Sequence, residues 1–355
     1  MSEHARIVVA GIGLVGKRHV DAINQVKNVS LAGIVEPGPI GPRYAESQGV
    51  PHFHSLEEMF AAIKPDGVIL ATPTTLHISQ GKTCIENKCA ALIEKPLGTS
   101  VHDAQDLVNM ATAADIPILV GHHRRHNPLV QKAKDIIQNG EIGQVRAVHS
   151  NCWFYKPDDY FDAAPWRKKQ GAGPISVNLV HDVDLIRHLC GEIITVQAQS
   201  APSLRGYENE DVAAAVLRFE NGAIGTITVS DSIVAPWSWE FTSHEHPAYP
   251  KTAESSYLIG GSNGSLSIPD LTVWTHQEAP NWWNPIRATS LPCQASDPLV
   301  NQIAHFSDII LNQASPLVSG AEGLKTLRVV EAIQLAAKSG NTIQPFEALE
   351  HRRTA

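Results

Sequence analysis

The order of elements predicts an α/β protein: an N-terminal Rossmann domain with a doubly wound parallel sheet, then a C-terminal α+β domain on a large, mostly antiparallel sheet. Three observations carry this. A short apolar strand runs directly into Gly11-Ile12-Gly13-Leu14-Val15-Gly16. Strand and helix patterns then alternate to about residue 122. Beyond that point apolar residues recur with period two, and Asn221-Gly222 offers a hairpin turn.

A chain of 355 residues exceeds the size at which single cores stop growing, which predicts two domains. They are a nucleotide domain over 1–122 and a substrate-binding and oligomerisation domain over 123–355, whose last helices are placed to return to the first. With 43% apolar and 18% charged residues the chain has the composition of an ordinary globular protein. A formal charge of -8 argues against nucleic-acid or anionic-membrane partners, since both demand a concentrated basic face. The basic exceptions are Arg124-Arg125 and Arg352-Arg353. Five cysteines without paired spacing predict reduced thiols. Ser2-Glu3-His4 leads straight into a strand, and no apolar run approaches the ~20 residues of a membrane span, so a cytoplasmic protein is expected. Seventeen histidines are the one oddity, and a titratable ligand-binding site is one explanation.

In chain order, Arg6 to Ala10 is a buried strand, and the three glycines after it have separate jobs. Gly11 permits the tight turn, Gly13 the close approach of a pyrophosphate, and Gly16 the packing of helix on strand. The second strand, Leu31 to Val35, ends in Glu36, twenty-five residues after Gly11, where a carboxylate accepts hydrogen bonds from an adenosine ribose. No arginine follows at once, and Arg43 is seven residues on, so NAD is favoured over NADP. A helix from Ser55 to Ile63 and a strand from Gly67 to Ala71 lead to Thr72-Pro73-Thr74-Thr75-Leu76-His77 and a helix to about Asn87. The strand Ala90 to Glu94 stops at Lys95-Pro96, which puts an ammonium group at the carboxyl edge of the sheet, where ligands of open α/β sheets collect. A helix from Ser100 to Ala114, a strand Ile118 to Gly121 and His122-His123-Arg124-Arg125-His126-Asn127-Pro128 complete the domain.

In the second domain a long strand covers Val145 to Tyr155, a hairpin joins Val212–Phe219 to Ala223–Val229, and short strands run to Thr275. One internal helix is expected from about Pro174 to Leu189, and two more, Pro298–Leu311 and Ala321–Ala337, close the chain. The long stretch Asp231 to Gly264 reads as a loop. A sheet with one face on its helices leaves the other for a second copy, so a homodimer or homotetramer is expected.

These residues resemble the Gfo/Idh/MocA family, the glucose-fructose oxidoreductase and inositol dehydrogenase group. The matching features, in order, are the glycine turn, Ala71-Thr72-Pro73 with His77, Glu94-Lys95-Pro96, Arg125 with Pro128, Trp166-Arg167 ahead of Gly171-Ala172-Gly173, and a helix bearing His181 and Asp184. The resemblance implies NAD(P)-dependent oxidation or reduction of sugars, polyols and related cyclic alcohols. It implies a cofactor site of Gly11, Gly13, Leu14, Val15, Gly16, Glu36, Thr72, Pro73, His77, Glu94, Lys95, Pro96 and Arg167. Lys95 and His181, helped by Asn178, are the implied catalytic groups, with His123, Arg124, Asn178 and His181 at the substrate and no metal.

Oxidising a secondary alcohol needs a base for the hydroxyl proton while hydride leaves the same carbon. Histidine suits that work, and a lysine beside a cationic ring can polarise the oxygen. Many family members carry aspartate four residues before the histidine; here that residue is Val177, with Asn178 at the third position. Either Lys95 is the principal base, or His181 acts with other help. Asp182 reads as a helix-surface acid. His122, His123 and His126, and His244-Glu245-His246, read better as pocket or loop groups than as zinc ligands. Trp153, Tyr155, Trp237 and Trp239 alternate as strand residues suited to core packing, while Lys156 and Tyr160 are candidate pocket contributors with little behind them beyond position. The leading expectation is a sugar or polyol dehydrogenase. The alternatives are a dehydrogenase of a carboxylated cyclic cis-diol, an NAD-dependent glycoside hydrolase, or a silent NAD-binding sensor.

Overall fold

The structure, a computed structural model, describes residues 4–347; Ser2, Glu3, Arg352 and Arg353 lie outside them. The chain forms two compact units, one running to Asn127 and including Ser296–Leu327, the other comprising Pro128–Ala295 and the chain from Arg328.

The first unit contains β1 (Ala5–Ala10), α1 (Leu14–Ile23), β2 (Val29–Val35), α2 (Ile40–Gln48), β3 (His52–Phe53), α3 (Leu56–Ala62), β4 (Gly67–Leu70), α4 (Thr74–Glu86), β5 (Ala90–Ile93), α5 (Val101–Ala114) and β6 (Ile118–Val120). All six strands are parallel, in the order β3-β2-β1-β4-β5-β6. Their apolar side chains are buried on both faces, as a sheet covered by crossover helices requires. Two elements that periodicity leaves unmarked are α2 and the two-residue edge strand β3, both too short or polar to announce themselves. The helices start where expected for a chemical reason: Ser55 and Ser100 accept hydrogen bonds from the Glu58 and Asp103 N–H groups.

The second unit contains α6 (Pro128–Gln138), β7 (Val145–Trp153), α7 (Asp158–Asp162), α8 (Pro174–Val177), α9 (Leu179–Cys190), β8 (Ile193–Pro202), β9 (Glu210–Phe219), β10 (Ile224–Ser230), α10 (Trp239–Thr242), β11 (Tyr257–Gly261), β12 (Gly264–Ile268), β13 (Thr272–Thr275) and β14 (Arg287–Ser290). Its eight strands pair in the order β14-β13-β12-β11-β7-β10-β9-β8, antiparallel except β7 with β10. Register sets the two faces. Ile259, Val148, Gly225, Leu217 and Val196 form one cross-strand row turned to the core, while Leu258, His149, Thr226 and Val216 form the adjacent row turned outward. Ile224, Leu258, Val216 and Trp274 are exposed apolar groups.

α11 (Pro298–Asn312) lies wholly in the first unit, and α12 (Gly320–Ser339) begins there. Gly67 explains the fit of α11, since a Cβ at that position would come within 2.7 Å of Ile310 and 2.9 Å of Phe306. Asn28 donates to Ser307 Oγ at 3.0 Å, and Val120 N–H to the Val318 carbonyl at 2.8 Å, which ties this segment to the edge of the parallel sheet. Asp231–Gly264 is shorter as a loop than its composition suggests, because α10 and β11 occupy part of it. Trp239 opens α10 and is buried, so it is no strand partner of Trp237; Trp237 instead packs edge to face on Trp153, with centroids 5.7 Å apart. The cysteines are free, and burial pushes the Cys89 and Cys190 thiols up to about 12. Among the described residues no helix is long and apolar enough to cross a membrane.

Candidate active site

Neighbouring β1 and β4 lead to strands on opposite sides of the sheet, the switch point at which open α/β sheets bind ligands. Gly11 turns there with φ of 88°, and a Cβ would lie 2.6 Å from the Ala71 carbonyl oxygen. At Gly16 a Cβ would lie 1.9 Å from the Gly11 carbonyl oxygen, whereas Gly13 faces open space. No side chain caps the first turn of α1, so its N–H groups are directed at the space over Gly13, with Leu14 82% and Val15 42% exposed beside them. That arrangement fits a dinucleotide pyrophosphate. Glu36 stands at the end of β2 with its carboxylate held on both oxygens: Ile12 N–H donates to Oε2 at 2.9 Å and Gly38 N–H to Oε1 at 2.8 Å. Each oxygen keeps a lone pair for a ribose hydroxyl. Arg43 is exposed on α2.

The loops after β4 and β5 are fastened to each other. His77 is buried, its Nε2 2.9 Å from the Thr72 carbonyl and its Nδ1 2.9 Å from the Pro96 carbonyl. Burial pushes its pKa down against the pull of those carbonyls. The neutral ring lies between the two carbonyls and its single N–H donates to one of them, so the cofactor assignment suggested for His77 becomes one of holding the two loops. Thr72 Oγ1 donates to Gln80 Oε1 at 2.6 Å. Glu94 is buried beside the equally buried His19 of α1, with Nε2 to Oε1 at 2.8 Å, and its Oε2 accepts the Lys95 N–H at 3.1 Å. Burial raises the carboxyl's pKa, but the His19 hydrogen bond, with the charges of His19, Lys95 and His123, outweighs it and brings the value to about 2. Lys95 follows, partly buried, before a cis peptide bond to Pro96.

A single-turn 3-10 helix, His123–His126, comes next. Its residues are mostly engaged: His126 Nε2 is 2.9 Å from His305 Nδ1, and Arg125 is 3.3 Å from Glu322. Arg124 is buried and His123 partly so. In the His244-Glu245-His246 stretch each side chain bonds locally, to Thr252, Trp239 and Ala248.

In the second unit the expected helix from Pro174 breaks in two at Asn178, whose φ of -104° and ψ of -54° end α8 and begin α9. His181 sits in the first turn of α9, and its N–H donates to the Asn178 carbonyl at 3.0 Å. The face-sharing expected of an unbroken helix therefore does not describe Asn178 and His181. The Asn178 side chain points elsewhere, with Oδ1 accepting from Lys156 Nζ at 2.6 Å. Lys156 is 5% exposed; burial pushes its pKa down, and Asp231, 3.8 Å away, works against that. Sequence reasoning undervalued Lys156, although Lys156-Pro157 repeats after β7 the lysine–proline pattern that singled out Lys95. Asp182 is no surface acid. It is fully buried and accepts a short hydrogen bond from the Tyr257 hydroxyl. Arg167 donates to the Tyr160 carbonyl at 2.6 Å and stacks on that ring at 4.0 Å. Lys156 Nζ lies 5.0 Å from the same ring.

A glycine turn at the switch point and a carboxylate fixed at the end of the neighbouring strand are the features of a dinucleotide-binding domain. Residues 5–122 match the oxidoreductase family with NAD-binding Rossmann fold, and residues 130–267 match the GFO/IDH/MocA C-terminal domain. The chain belongs to the Gfo/Idh/MocA oxidoreductases. It is 25% identical to a D-apiose dehydrogenase of Rhizobium rhizogenes over 94% of its own length and 95% of that protein. It is 32% identical to an inositol 2-dehydrogenase of Mycolicibacterium smegmatis over 53% of its own length and 54% of that protein. Among solved structures it is similar to the WlbA dehydrogenase of Bordetella pertussis in complex with NADH and UDP-GlcNAcA. That likeness has a TM-score of 0.80 and 27% identity, over 96% of this chain and 98% of the other.

Proposed function

We propose that this protein is an NAD-dependent dehydrogenase that moves hydride between a secondary alcohol of a sugar or inositol-like polyol and the nicotinamide. The observation that carries this is Lys95, an ammonium group at the carboxyl end of β5, one strand from the switch point, with its backbone N–H held by the buried Glu94 carboxylate. The bound dinucleotide supplies the hydride acceptor. Lys95 polarises the substrate oxygen. Dehydrogenases of apiose and inositol among the relatives support a polyhydroxylated substrate.

The choice of NAD over NADP rests on Glu36. Its carboxylate, fixed by two N–H groups, accepts ribose hydroxyls and repels a 2'-phosphate. The carboxylated cis-diol alternative loses one support, because Arg125 is paired with Glu322. The outward face of the eight-stranded sheet, with Leu258, Val216, Ile224 and Trp274 exposed, supports association with a second copy, which light scattering checks. The function is tested by mixing protein, NAD and a panel of sugars and polyols while following NADH absorbance. Steady NADH formation is expected. Glycoside cleavage without net NADH, or NAD binding with no turnover at all, would instead identify a hydrolase or a sensor.

A further inference from the structure

Asn178 begins α9, a position at which asparagine ordinarily turns its side-chain oxygen onto the helix's own first-turn N–H groups. Here it makes no such cap. Its oxygen is taken by Lys156 Nζ at 2.6 Å. An ammonium group can only donate, so the amide has one permissible orientation: the reverse flip would set two donors against each other. Among the described residues no acceptor meets the Asn178 amide nitrogen, so its two N–H donors are left for a ligand. Lys156 itself is held hard. Its backbone N–H donates to the Asp231 carbonyl at 2.9 Å, its carbonyl accepts from Arg205 at 2.8 Å, and Arg205 spans to Asp231 at 3.2 Å. Asp231 thus lies between two cations, 3.8 Å from one and 3.2 Å from the other, and does not displace Lys156 from the amide. The ammonium also polarises the amide it binds, which strengthens the donors on the far side.

We propose that Lys156 is the specificity-setting residue of the substrate unit: by fixing the Asn178 amide it presents an N–H donor pair, which selects a substrate carrying an acceptor-only oxygen, a carbonyl or carboxylate. This rests on the reading that Asn178 belongs to the substrate site of the second unit. It also accounts for Val177. A carboxylate at that place would offer the substrate an acceptor, suited to a hydroxyl, whereas the Lys156–Asn178 pair offers the opposite polarity. An acidic or acylated sugar meets it with a strong acceptor, whereas a polyol hydroxyl meets it with a weaker one.

The test is calorimetric titration of the full-length, NAD-loaded protein with D-glucose, N-acetyl-D-glucosamine and D-glucuronate, which place a hydroxyl, an amide carbonyl and a carboxylate on related rings. At least one of the last two is expected to bind about tenfold tighter than glucose or better, the scale of one charge-assisted hydrogen bond. Which of the two it is separates a carbonyl from a carboxylate ligand. Asn178→Asp keeps an oxygen for Lys156 but presents acceptors, and should abolish the preference. Lys156→Met, which frees the amide to turn, should do the same, while Lys156→Arg should restore it. NAD affinity reports folding of each variant, and if Asn178→Asp does not fold the two Lys156 variants decide. Equal binding of the three sugars, no binding of any, or a preference that survives Lys156→Met overturns the proposal. A preference that behaves as expected in a protein that forms no NADH would leave the pair standing and defeat the dehydrogenase reading alone.

Discussion

His19 Nε2 lies 2.8 Å from Glu94 Oε1, and both side chains are buried. One belongs to the helix that follows the glycine turn, the other precedes Lys95, and the carboxylate's second oxygen accepts the Lys95 N–H. The pair therefore couples the elements proposed to carry phosphate and to carry the ammonium group, across seventy-five residues of chain.

Its first consequence is a dependence of stability on acid. Glu94 titrates at about 2 in the folded protein against an ordinary 4.5, so its contribution is complete above about pH 4.5 and is lost as pH falls toward 2. That difference corresponds to something on the order of 3 kcal/mol. His19→Ala strands a buried carboxylate and is expected to cost about 3–5 kcal/mol at pH 7. Denaturant unfolding at pH 7 and pH 3 checks both claims. The gap between wild type and variant should narrow at the lower pH, and a gap independent of pH would count against the pair.

Glu36 sets the nucleotide preference. Glu36→Ala is expected to weaken NAD at least about tenfold through lost ribose hydrogen bonds, and to weaken NADP less, because the repulsion of its phosphate goes too. Fluorescence titration with both nucleotides measures the ratio. An unchanged ratio would remove Glu36 from the ribose site.

Tyr257 and Asp182 form a buried contact whose loss leaves a carboxylate oxygen short of its donor. Tyr257→Phe is expected to lower stability by about 1–3 kcal/mol with NAD affinity unaltered. Thermal and denaturant unfolding of the variant test this, and a neutral result would mean that Asp182 finds another donor.

Much of the first unit was legible from local pattern. Gly11, Gly13, Gly16 and Glu36 announce themselves by spacing, because their jobs are dictated by the chain within a few residues. What was illegible depends on distant partners. The burial of Asp182 requires Tyr257, seventy-five residues away, and the packing of α11 on Gly67 requires a helix more than two hundred residues downstream. The break at Asn178 could not be read from apolar periodicity, which runs through it without interruption. Lys156 carries little weight in the sequence because a single lysine has no diagnostic spacing, and only the Asn178 and Asp231 side chains, distant in the chain, show what its head group meets.

The central claim is that Lys95 acts on a substrate alcohol held against bound NAD. Lys95→Ala tests it most directly, with NAD affinity measured by calorimetry and turnover by NADH formation on the best polyol or sugar acid of the panel. The account predicts NAD affinity within about threefold of wild type and turnover reduced at least about a hundredfold, the scale of lost acid–base catalysis. Wild-type turnover in that variant would contradict it.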